Sequence, residues 1–81
     1  MNANEVIREM IDRSGLSQRA VSMELGHSPN WVNSTLQTTG SSTCNTMAAI
    51  GRVTGYKLVL VPEDSPLPVG SLVIDPPSDN A

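Results

Sequence analysis

With 81 residues, a net charge of −3 and a single cysteine, the chain is one small domain, near the lower size at which a single apolar core suffices. One Cys and one His exclude an internal disulfide and a metal-ligand cluster, and no cofactor is expected. No apolar run approaches the ~20 residues of a membrane helix, and the polar start MNANEVIREM does not read as a signal peptide, so the expectation is a cytoplasmic protein without a membrane partner.

The charge is unevenly spread. Residues 1–62 hold Arg8, Arg13, Arg19, Arg52 and Lys57 against Glu5, Glu9, Asp12 and Glu24, a balance of +1. The other four acids, Glu63, Asp64, Asp75 and Asp79, lie in a tail without Lys or Arg. A body this close to neutral offsets few phosphates by charge. Helix N-termini and neutral polar groups would carry most of the positioning on a nucleic acid.

In chain order, Asn4 to Ser14 reads as a first helix: Val6, Ile7, Met10 and Ile11 form one apolar stripe, and Gly15 ends it. Leu16 to Leu36 reads as two short helices joined by a tight turn, at about residues 17–25 and 29–37. Ser17 caps the first of them, where Val21 and Leu25 share a face and Ser22 leaves room for a close helix approach. Gly26 stands where the backbone needs positive φ. Ser28-Pro29 reads as an N-cap followed by proline at the first helical position. Val32 and Leu36 then face back, leaving Asn30, Asn33, Ser34 and Gln37 outward.

A hydroxyl-rich loop, residues 38–42, leads to a fourth helix capped by Thr43 and running to about Thr54, with Cys44, Met47, Ile50 and Thr54 on one face. That placement predicts a buried, inert thiol at Cys44. Gly51, mid-helix, predicts close helix packing. After Gly55, the β-rich run Tyr56 to Val61 is stopped by Pro62, and a lone strand must find a partner. A second short run, Ser71 to Ile74, either pairs with the first as a hairpin or belongs to a disordered tail that folds onto a partner. The organisation expected is a body over residues 1–62 and an acidic Pro/Ser-rich tail over residues 63–81.

The spacing of Leu16, Gln18, Val21, Gly26, Ser28, Trp31 and Val32, continued by Thr46-Met47, Ile50 and Gly55-Tyr56, resembles the helix-turn-helix of XRE-type (Cro-like) DNA-binding domains of phage repressors and bacterial antitoxins. The resemblance covers roughly residues 3–62 and implies a mainly α, four-helix lambda-repressor-like domain with a C-terminal β-strand that pairs in a dimer or hairpin. Family members with this ending pair the strand with its copy, which makes Tyr56, Leu58, Val59, Leu60 and Val61 the expected dimer interface. Positions 11 and 36 often carry an arginine–glutamate ion pair in the family. Here Ile11 and Leu36 replace both partners, a joint change that can be neutral or stabilising. Thr35 and Thr54 are polar where the family is usually apolar, predicting a core of modest stability.

In that frame Asn30, Asn33 and Ser34 are the candidates for base contacts, since an Asn amide can bond adenine N6 and N7 together, and Gln37 continues the face. Gln18, Arg19 and Ser28 are candidates for phosphate. Trp31 is expected at the edge with its indole N–H free for phosphate. Thr38, Thr39 and Ser41 offer further neutral phosphate contacts, with a solvated loop an equal reading. His27 reads as an ordinary surface histidine.

The function this implies is transcription regulation: a repressor, encoded by a bacterium or by a phage or mobile element, binding double-stranded DNA as a homodimer. On a palindromic operator the two recognition helices would lie about 34 Å apart. Two alternatives stand beside it: an antitoxin whose acidic tail holds a toxin, and a protein-interaction inhibitor that kept the fold and lost DNA binding. No enzyme is expected, because no nucleophile–base set, carboxylate pair or phosphate-binding glycine loop can be assembled.

Overall fold

The structure, a computed structural model, describes residues 1–37 and 43–76. It has four helices: α1 (Ala3–Ser14), α2 (Gln18–Glu24), α3 (Trp31–Gln37) and α4 (Cys44–Thr54). α1 begins one residue before its apolar stripe suggests, because Asn2 caps it. The Asn2 side chain accepts from the Glu5 amide at 2.8 Å, and the Glu5 carboxylate accepts from the Asn2 amide at 2.8 Å. At the other end Gly15 takes the left-handed conformation, φ 78°.

The core forms where α1 and α2 pack on α4 and α2 packs on α3. Val6, Ile7, Met10 and Ile11 bury the α1 stripe against Val21, Val32, Leu36, Met47 and Ile50. Ile7, Val21, Val32 and Ile50 are wholly buried, each contributing about 1.5–3 kcal/mol of transfer free energy. Ile11 and Leu36 are both in this core. The buried Thr54 hydroxyl donates to the Ile50 carbonyl at 2.9 Å and the Gly51 carbonyl at 3.2 Å, so its burial leaves no unmet donor.

Three expectations are corrected. Cys44 is exposed: it occupies the first position of α4, beyond the reach of the packing helices, and the buried stripe begins at Met47. Gly51 does accommodate a close approach, but of the chain leaving α4 and not of another helix. A Cβ there would lie 3.0 Å from the Tyr56 carbonyl oxygen, and the Tyr56 amide donates to the Gly51 carbonyl at 2.7 Å. The C-terminal strand is absent: neither Tyr56 to Val61 nor Ser71 to Ile74 is in a strand, and the described residues contain none. A strand is defined by its ladder, and no main-chain hydrogen bond among the described residues joins the two runs.

What replaces it is an arm, residues 56–76, folded back along the body. One turn is closed by the Ser65 amide on the Pro62 carbonyl at 3.1 Å, a second by the Ser71 amide on the Pro68 carbonyl at 3.2 Å. In the second, Gly70 supplies the positive φ, 88°, of a type II turn. Leu72 packs against the core, Arg13 donates to the Gly70 carbonyl at 3.3 Å, and the Asp75 amide donates to the Met1 carbonyl at 2.9 Å. Arg13 also pairs with Glu9 at 2.8 Å. That carboxylate, and then the Tyr56 hydroxyl, favour its charged form and raise its pKa. The described part of the expected tail is therefore tied to the body. No helix among the described residues is long and apolar enough to cross a membrane.

Candidate nucleic-acid interface

The helix pair α2–α3 is built from local signals. Ser17 caps α2 by accepting from the Ala20 amide at 3.0 Å. α2 stops in a Schellman arrangement: the Gly26 amide donates to the Met23 carbonyl and the His27 amide to the Ser22 carbonyl, both at 3.0 Å. Gly26 has φ 80°, which L side chains rarely adopt.

α3 begins at Trp31, two residues later than Ser28-Pro29 suggests. The Trp31 amide donates to the Ser28 main-chain carbonyl at 3.0 Å, so residues 28–31 form a turn. The Ser28 side chain is accordingly not the cap. The amide at the start of α3 is met from the other helix: the Val32 N–H donates to the Ser22 hydroxyl oxygen at 2.9 Å, and that hydroxyl donates to the Gln18 carbonyl at 2.8 Å. Ser22 is wholly buried. It thus fixes α3 to α2 through a hydrogen bond whose loss would leave a buried donor unmet, and this exceeds the role of small spacer read from sequence.

With Val32 and Leu36 turned into the core, α3 leaves Asn33, Ser34 and Gln37 exposed, and Asn30 is exposed just before it. These four form two pairs at i,i+4. Asn30 Nδ2 lies 3.4 Å from Ser34 Oγ, and Gln37 Nε2 lies 3.5 Å from Asn33 Oδ1. Contacts this long are weak, so exchanging them for base edges would cost little. The face offers amide donors and acceptors without charge, the chemistry that reads the edge of a base pair.

Trp31 is half-buried, with part of its surface on the core. Its ring stacks on His27, centroids 4.0 Å apart and planes 8° from parallel. The edge position expected for Trp31 holds; the partner was missed, because a helical period does not continue across the Ser28-Pro29 turn. Two aromatic rings four residues apart astride such a turn are the signal that could have found it. Arg19 and Ser28 are exposed and Gln18 is half-buried near the start of α2, on the same helix pair. Thr38, Thr39 and Ser41 lie outside the described residues.

A groove among the described residues lies elsewhere. It runs between the body and the arm, lined by Met10, Met47, Gly51, Leu58, Leu72 and their neighbours. Searches against models of known families, curated proteins and solved structures find no match to this chain.

Proposed function

We propose that this chain is a sequence-specific DNA-binding transcriptional regulator, acting as a homodimer on a palindromic operator and repressing from it. The observation that carries this reading is the uncharged, hydrogen-bonding face of Asn30, Asn33, Ser34 and Gln37 on a helix clamped to its neighbour by Ser22. Such a face, inserted in a major groove, discriminates bases through amide contacts, while Gln18, Arg19, Ser28 and the Trp31 indole hold the backbone. The XRE-type resemblance supports the same assignment. In it, the apolar run Tyr56, Leu58, Val59, Leu60 and Val61 forms the contact between protomers.

A second reading is an interaction module of the same fold that no longer binds DNA. One observation favours it: no Lys or Arg occurs between Ser28 and Gly51, so α3 brings no positive charge to a phosphate backbone. An anisotropy titration on DNA from upstream of the chain's own gene, against a scrambled duplex at two salt concentrations, separates the two. Tight binding to the first duplex alone, abolished by Asn30→Ala with Asn33→Ala, is the expected result. Equal weak binding to both duplexes sinks self-regulation. Absence of binding to any duplex in a genomic selection would replace the regulator by the interaction module.

A further inference from the structure

The arm exposes more apolar surface than a chain this small can leave uncovered without consequence. Leu58, Val59, Leu60 and Val61 are all exposed, Leu60 completely so, and Leu67, Val69, Val73 and Ile74 continue the patch along the return. Among the described residues, no main-chain N–H or C=O from Lys57 to Val61 has a main-chain partner. The run therefore offers both an apolar surface and an open hydrogen-bonding edge, the combination that invites another strand.

The sequence of the run says which strand. Two copies pairing antiparallel about a twofold axis place residue i opposite residue j, and j opposite i. Side chains alternate between faces, so the two numbers must sum to twice the number of the residue on the axis. Lys57 is the one cation of the arm, and Glu63 and Asp64 are the carboxylates beside the run. Lys57 and Asp64 differ in parity and cannot face each other in such a pair. Lys57 and Glu63 can, in one register, with Leu60 on the axis.

Pro62 then falls opposite Leu58. If Leu60 meets Leu60 at a pair that exchanges no hydrogen bonds, the alternation makes Leu58–Pro62 another such pair, and proline's missing N–H is never called on. The ladder bonds fall on Val59 and Val61, both of which have an N–H to give. Charge and proline thus agree on one geometry, a self-complementarity that an unrelated strand would have no reason to meet.

We infer that the occupant of this edge is a second copy of the chain, paired antiparallel over residues 58–62 with Leu60 on the twofold axis and Lys57 facing Glu63 of the other copy. The inference deepens the homodimer part of the proposed function and rests on it, while requiring nothing of the DNA.

The test is made on the full chain without DNA, in a Cys44→Ser background because the native thiol is exposed. At the pair on the axis the Cα atoms lie about 4.5 Å apart, within disulfide reach. Equivalent atoms of Val59 or Val61 sit diagonally, at about 7–8 Å or beyond. Under a mild thiol–disulfide buffer, Leu60→Cys should cross-link at least about tenfold faster than Val59→Cys or Val61→Cys. In sedimentation equilibrium on the uncross-linked protein, Lys57→Glu or Glu63→Lys should weaken the dimer about tenfold, the scale of two symmetry-related charge pairs, and the double reversal should restore it. All of these side chains lie outside the core, so the helical circular dichroism should not change. A monomer at all concentrations, fastest cross-linking at Val59, or a double reversal no better than the singles overturns the inference. Because each readout is self-association, loss of operator binding would refute the regulator reading and leave this one standing.

Discussion

The C-terminal arm is richer in large aliphatic residues than the helical body and does the opposite with them. From Val6 to Ile50 the large aliphatic side chains mostly converge, four of them excluded from water altogether. From Leu58 to Ile74 they mostly face solvent, with Leu72 the one that reaches the core. The difference follows from the backbone. A helix satisfies its own N–H and C=O groups and needs a neighbour only for one stripe of side chains. An extended run needs neighbours for both, and among the described residues the main chain of residues 57–61 has no main-chain partner and its apolar side chains stay largely exposed.

That contrast can be broken first at the core. Ile50→Ala should cost about 2–5 kcal/mol in urea unfolding, since it opens a cavity where the side chain is wholly buried. Leu60→Ala, measured on the monomer at low concentration, should stay within about 0.5 kcal/mol of the parent. Next in size, Asn30→Ala and Asn33→Ala should each remove about 1–3 kcal/mol of operator discrimination in the anisotropy titration, while leaving the thermal midpoint nearly unchanged.

Ser22→Ala tests whether α2 and α3 move together. It strands the Val32 amide, which should cost about 1–3 kcal/mol of stability and raise hydrogen exchange at Val32 above that of neighbouring α3 amides. Gly51→Ala is the smallest effect and the sharpest comparison of the two regions. A helical Ala is worth up to about 1 kcal/mol over Gly, but here its methyl presses on the Tyr56 carbonyl. The helix should melt within about 1 kcal/mol of the parent, with proteolysis after Tyr56 accelerated because the close Gly51–Tyr56 contact at the base of the arm is pushed apart.

The parts legible in sequence were those whose causes are local. Thr43, Gly15, Gly26 and Gly55 act on the residues next to them, so helix ends were readable to within a residue or two, and so was the inward turn of Val32 and Leu36. The start of α3 was misread because Ser28-Pro29 suits a turn as well as a cap, and only the position of Ser22 decides between them. Cys44 was misplaced because spacing continues to the end of a helix whether or not anything packs there. The strand is not seen within the one chain for a related reason. β-branched composition records a capacity to pair, while pairing itself depends on a partner that no local pattern contains. Of the candidate site, the outward amides were legible from the period of α3; the hydroxyl clamp of Ser22 and the His27–Trp31 stack required the turn in three dimensions.

The division of labour on α3 has an evolutionary consequence. Val32 and Leu36 hold the helix in place, and Asn33, Ser34 and Gln37 lie exposed outside the core. On the proposed reading, recognition and folding are written on separate letters of the same seven-residue helix. A lineage carrying this domain can therefore drift in what it recognises, one exposed residue at a time, without passing through an unstable intermediate.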